Sequence, residues 1–167
     1  ACFVDGTDET ARRYVSIIAV ALDQIKKNND EKFDRSNFIK NVILDNILPG
    51  DIYIKSRELR FNNDATRVVF IIRVAEHTDV SVFDVVQNFF PDKTKDFVIS
   101  ISETDIALVK EVSPNVDSKD LEKLAQSICD TLSTEFYCQA VVGIGTCVTG
   151  IKDLAKSFKE AQVALEV

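Results

Sequence analysis

The sequence predicts an α+β fold in which a β-α-β-β-α-β run follows a helical lead-in and is closed by one further helix. Three observations carry this. Residues 67–74 (RVVFIIRV) form a β-branched apolar run bounded by charge, as expected of a central strand covered on both faces. Residues 97–101 and 105–112 are two strand-like runs separated only by Ser102-Glu103-Thr104, a hairpin spacing. Residues 141–165 lead a buried strand through Gly143 and Gly145 into an amphipathic helix. The glycines suit a strand end where another backbone approaches closely or φ is strained.

Taken in order, residues 1–4 read as an apolar strand end broken by Asp5-Gly6. Thr7 or Asp8 can cap a long helix over residues 9–27. Its apolar positions Ala11, Tyr14, Ile18, Leu22 and Ile25 share one side, widened by Val15, Ile17 and Ala21. Such a stripe is covered either by the chain's own core or by the same helix of a second chain, and both remain open. Asn28-Asn29-Asp30 reads as a polar break. Ser36 then caps a helix over 37–47 with Phe38, Val42 and Ile43 inward, Pro49-Gly50 ends it, and Asp51 restarts a short helix to about Phe61.

After the strand at 67–74, Asp79 or Ser81 opens a helix to about Phe90 that buries Val82, Val85, Val86 and Phe89. The hairpin follows. Asp117 or Ser118 caps a helix with Leu121, Leu124, Ile128 and Leu132 on one side, and residues 138–144 form the last core strand. Thr149 offers an N-cap to the final helix, which buries Leu154, Phe158, Ala161 and Leu165 and turns Lys152, Lys156, Lys159 and Glu160 mostly to water. This split order is the plan shared by ferredoxin-like and nucleotide-cyclase-like domains: an antiparallel sheet with helices on one face.

The 167 residues, 46% of them apolar, suffice for one substantial core. A start at Ala and the absence of Met lead us to expect a piece of a longer protein. No apolar run reaches the ~18 residues of a membrane span and no signal-peptide pattern opens the chain, so a cytoplasmic protein with no membrane partner is expected. A net charge of −7 argues against a nucleic-acid surface on this piece. The four cysteines, Cys2, Cys129, Cys138 and Cys147, show no C-x-x-C spacing and read as reduced thiols. His77, the single histidine, stands in a polar loop far from any of them, which excludes a zinc cluster by spacing and makes it an exposed bystander. Gly143-x-Gly145 lacks the third glycine of a dinucleotide fingerprint, since Val148 stands there. No phosphate-binding G-x-x-x-x-G-K-[ST] run occurs, and no Ser or Cys has a histidine near it in sequence to serve as base.

The segment Gly143-Ile144-Gly145, Gly150, Leu154 and Ser157-Phe158-Lys159-Glu160-Ala161-Gln162-Val163-Ala164-Leu165 resembles the end of the GGDEF-like regulatory domain in bacterial transcription regulators of the sugar-diacid and purine-catabolism (CdaR/PucR) type. Residues 38–44 and 51–59 resemble the helical lead-in of those regulators, and the first helix, after Gly6-Thr7-Asp8-Glu9, looks like the last helix of an upstream sensor region. The resemblance implies a lead-in at 1–61 and a degenerate GGDEF-like domain at 62–167. An active cyclase of this kind carries its signature on the hairpin. Here Ser102 and Glu103 stand in place of its glycines, Thr104 in place of an acid, Asp105 keeps a carboxylate, and Ile106 holds the apolar position. The metal-binding acid expected after the first strand falls near Arg73 or Ala75, with Glu76 the nearest carboxylate, and an arginine there repels divalent ions.

The expectation is therefore a non-enzymatic regulatory and dimerisation fragment with no catalytic residue, metal or cofactor. It would relay a signal, from a small-molecule effector bound upstream, to a DNA-binding helix-turn-helix outside this chain. Its homodimer seam would be Ala11, Tyr14, Ile18, Leu22 and Ile25. The alternative is a metabolite-binding module built on a ferredoxin-like sheet.

Overall fold

The computed structural model describes residues 4–75 and 81–166; Cys2, Glu76, His77 and Asp79, singled out above, lie outside the described residues. Two compact units divide the chain, Ala1–Arg35 and Ser36–Val167.

The first unit is dominated by helix α1, which spans Glu9–Ile43 and so continues into the second. Asp8 caps it: the Ala11 N–H donates to Asp8 Oδ1 at 2.9 Å. The break expected at Asn28-Asn29-Asp30 and the restart at Ser36 are not found, because the helix runs through both. No Gly or Pro occurs between Glu9 and Ile43. Asn and Asp each cost no more than about 0.7 kcal/mol relative to Ala in a helix interior, too little to interrupt a chain of good helix formers on either side. Pro49-Gly50 does not end the helix either. The stop comes earlier, where Asp45 adopts φ 59° and the Asn46 N–H reaches back to the Asn41 carbonyl at 2.9 Å. Pro49 instead opens α2 (Pro49–Glu58), where its missing N–H costs nothing. The same kind of stop closes α2, with Arg60 at φ 55° and the Phe61 N–H donating to the Ser56 carbonyl at 2.8 Å.

In the second unit an antiparallel sheet of β1 (Thr66–Val74), β2 (Phe97–Ser100), β3 (Asp105–Val112), β4 (Ala140–Ile144) and β5 (Val148–Thr149) runs in the order β2-β3-β1-β4, with β5 also on β1. With α3 (Val82–Phe89) and α4 (Ser118–Phe136) between the strands, this is the expected β-α-β-β-α-β plan. Those two helices share one face, over Val68, Phe70 and Ile72. The opposite face, under Val69 and Ile71, is covered by α5 (Leu154–Ala164), by α2, and by Phe38, Ile39, Val42 and Ile43 from the last two turns of α1. β1 is thus buried on both sides, as its unbroken apolar run requires.

Several local readings are corrected. Phe89 is exposed and Phe90 takes the core position, because α3 ends at Phe89 and the chain turns inward there. Thr149 lies in β5, and Asp153 stands at the N-terminus of α5. The last strand begins at Ala140, although Cys138 is buried.

The Ile144–Val148 stretch departs from a regular ladder. Phe70 pairs with Ile144 and Arg67 with Val148, so three steps along β1 face four along the partner. The extra residue makes a β-bulge spanning Gly145-Thr146-Cys147. Gly145 N–H still donates to the Val69 carbonyl at 2.9 Å, but Val69 N–H turns to the Ser157 hydroxyl at 3.1 Å.

Candidate functional site

The hairpin expected to carry the signature joins β2 and β3. Ser102 Oγ accepts from the Thr104 N–H at 3.2 Å and the Asp105 N–H at 2.9 Å, closing the turn with a side chain where glycines would leave it open to a ligand. Lys40, on the last part of α1, donates to the Ser100 carbonyl at 2.9 Å, so the lead-in grips the hairpin's root.

Arg73 and Asp105 stand directly opposite each other in the β1–β3 register. Val74 N–H bonds to the Thr104 carbonyl, which makes Arg73/Asp105 a non-hydrogen-bonded pair, the type whose side chains lie closest. The guanidinium meets the carboxylate as a fork, Nε to Oδ1 at 2.8 Å and an Nη to Oδ2 at 2.9 Å. Hydrogen bonds from Arg73 hold the Asp105 carboxyl below its ordinary range against the opposing effect of desolvation, and the same contact raises Arg73. Both oxygens of the Asp105 carboxylate are therefore engaged by a cation. Sequence reading singled out Arg73 and Asp105 separately and missed the pair; the strand register was the signal that would have joined them.

Gly143 and Gly145 serve α5. A Cβ on Gly143 would collide with the Ala161 carbonyl oxygen, and one on Gly145 with that of Ser157. The helix lies with its backbone against the strand, and Ser157, fully buried, satisfies the Val69 N–H that the bulge leaves without a strand partner. This gives the Gly-x-Gly and the Ser-aromatic-x-Glu-Ala run one physical cause. Glu160 completes the contact by accepting from the Thr146 N–H at 3.1 Å and from its hydroxyl, which hold its carboxyl below the usual range. Ser157 was read only as a motif letter and Glu160 as facing water, so neither contact was anticipated.

In the first unit Tyr14, Leu22 and Ile25 of the proposed seam are exposed and Ile18 is half-buried, whereas Ala11 is covered by the turn at Gly6–Asp8. Ile17 and Val20 are also exposed, the second of them outside the stripe read from the sequence. An open groove of about 360 Å³ lies between the start of α4 and the bulge, lined in part by Leu121, Glu122, Thr146 and Cys147. Among the described residues no group of three or more His, Cys, Asp or Glu side chains gathers as a metal cage would, and no helix is long and apolar enough to cross a membrane.

A ferredoxin-like sheet with a hairpin between β2 and β3, closed by the contact of the glycine-bearing strand with the last helix, is the plan of a GGDEF-like domain. The family model of the GGDEF-like domain matches residues 46–167, and the chain belongs to that family. The same comparisons find no match among curated proteins and none among solved structures.

Proposed function

We propose that this chain is a non-catalytic regulatory and dimerisation piece of a cytoplasmic bacterial transcription regulator of the CdaR/PucR type. It would pass a signal, from an effector bound upstream, to a DNA-binding helix-turn-helix outside this chain. The observation that carries the reading is the Arg73–Asp105 fork. By the resemblance the metal-binding acid of a cyclase falls near Arg73 or Ala75 and Asp105 is the remaining signature carboxylate, so a divalent ion and its nucleotide would have to break a bidentate pair to enter. No cofactor is required by this reading.

Isothermal titration of the chain with GTP and Mg²⁺ is expected to give no heat of specific binding, and no cyclic dinucleotide should form. Micromolar, Mg²⁺-dependent binding that vanishes in Asp105→Ala would overturn the reading.

A relay without chemistry must act through geometry between chains, and the exposed stripe of α1 supplies a seam for a homodimer. Ile18→Asp/Leu22→Glu is expected to turn a micromolar dimer into monomer in sedimentation equilibrium, since burying two unpartnered carboxylates costs several kcal/mol, while circular dichroism stays that of the folded chain. A wild type monomeric at tens of micromolar, or a double variant that unfolds instead of dissociating, would show that the stripe packs on its own chain.

A further inference from the structure

β4 ends the sheet, and its alternation fixes which backbone groups face outward. Gly145 N–H bonds to Val69 and Ala75 N–H to Gln139, so Val141 and Gly143 point their N–H and C=O groups to β1. Ala140, Val142 and Ile144 point theirs away from it. Among the described residues, the Ala140 carbonyl receives the weak Cys129 thiol, at 3.5 Å, from α4. The opposite edge is treated differently: Ile101 N–H bonds to Asp105, which turns the Ser100 carbonyl of β2 outward, and Lys40 caps it at 2.9 Å.

Exposed edges are normally guarded by charge or proline, because a row of free donors and acceptors at strand spacing recruits another strand. β4 has neither guard. No charged residue and no proline occurs between Glu135 and Lys152, in a chain that is 28% charged. A net charge of −7 makes two copies repel elsewhere, and this uncharged strip is where identical surfaces can meet without like charges opposed. The strand is also self-complementary: turned antiparallel about Val142, it sets Val142 against itself and Ala140 against Ile144, with every outward donor facing an acceptor.

We propose that the β4 edge pairs antiparallel with β4 of a second copy of this chain, joining two sheets into one. The contact is independent of the α1 seam and does not require the regulatory reading above. The two interfaces lie on different elements, so substitutions can separate them.

The test is amide hydrogen exchange followed by NMR across protein concentrations, in the wild type and in the Ile18→Asp/Leu22→Glu background. Exchange at Val142 and Ile144 is expected to slow by at least about tenfold between dilute and concentrated protein in both, while Val141 and Gly143, already bonded to β1, stay unchanged. Val142→Pro removes an outward N–H without touching the β1 ladder, and Val141→Lys places a cation on an exposed side chain beside the dyad. Each should abolish the concentration dependence with the fold retained by circular dichroism. Should Val142 and Ile144 exchange at one fast rate at every concentration, or should association in the α1-charged background survive both substitutions, the pairing is wrong. Protection that arises only on adding a different polypeptide would likewise overturn the second copy as occupant.

Discussion

Gly145→Ala is expected to lower stability on the order of 3 kcal/mol, at or beyond the upper end of ordinary overpacking, because the new methyl meets backbone instead of a side chain that could rotate away. The Cβ would collide with the Ser157 carbonyl oxygen, and the Ser157 hydroxyl cannot yield without stranding the buried Val69 N–H. Nor can α5 lift, since Leu154 and Phe158 on either side of Ser157 are locked in the core. Gly143→Ala meets the Ala161 carbonyl in the same way. Gly50→Ala is the control. It has open space around it in the first turn of α2, and there the substitution should change stability by no more than ~0.5 kcal/mol or raise it slightly. Urea denaturation of the three variants decides the matter: equal midpoints for Gly145→Ala and Gly50→Ala would mean that the helix does not rest on the strand as described.

Arg67→Ala should be comparably damaging, about 3–5 kcal/mol, the usual cost of breaking a buried pair from one side. Arg67 is the second residue of β1, with its side chain 2% exposed, and its guanidinium donates to the Asn62 carbonyl at 2.9 Å and to Glu111 at 3.2 Å. Truncation leaves a cavity, an unpaired carboxylate on β3 and a loop carbonyl without its donor. The harm should come from what is abandoned more than from what is lost. Arg67→Met/Glu111→Leu, which removes both charges and keeps the volume, is therefore expected to recover much of the stability in thermal unfolding. A double variant no better than Arg67→Ala would argue that the loop contact, not the ion pair, dominates.

The strands, their order and the hairpin were legible because each is announced by a local pattern: β1 by its unbroken apolar run, the hairpin by a three-residue gap, α5 by a stripe of Leu154, Phe158 and Ala161. What failed was punctuation. Asn28-Asn29-Asp30 looks like a loop only if the weak helix propensity of three residues is allowed to outweigh a long run of good formers, and Pro49 reads equally well as a stop or a start until the helix before it is seen to end at an Asp in the left-handed region. At the site, the hairpin's position between β2 and β3 was legible. The Arg73–Asp105 fork was not, because the two residues are 32 apart and only register brings them together. Arg67 hid for a related reason: a charge at the margin of an apolar run looks like its boundary, whereas the Glu111 that neutralises it lies on another strand.

The single extra residue at Gly145-Thr146-Cys147 has a meaning for how this chain can vary. Sidedness in a strand is a matter of odd and even, and the insertion exchanges the two: Ile144 packs toward α3 and α4, whereas Val148, an even number of residues later, lies in the core under α5. Losing one residue here would not shorten a loop. It would put Val148 three residues after Ile144, the odd spacing at which a regular ladder still sets it opposite Arg67 and under α5, and it would remove the extra twist that the bulge gives the strand. Losing two would leave an even spacing with no bulge to absorb it and would turn Val148 to the wrong layer, so the count of residues between the two strands is as much a part of this domain's specification as their identity.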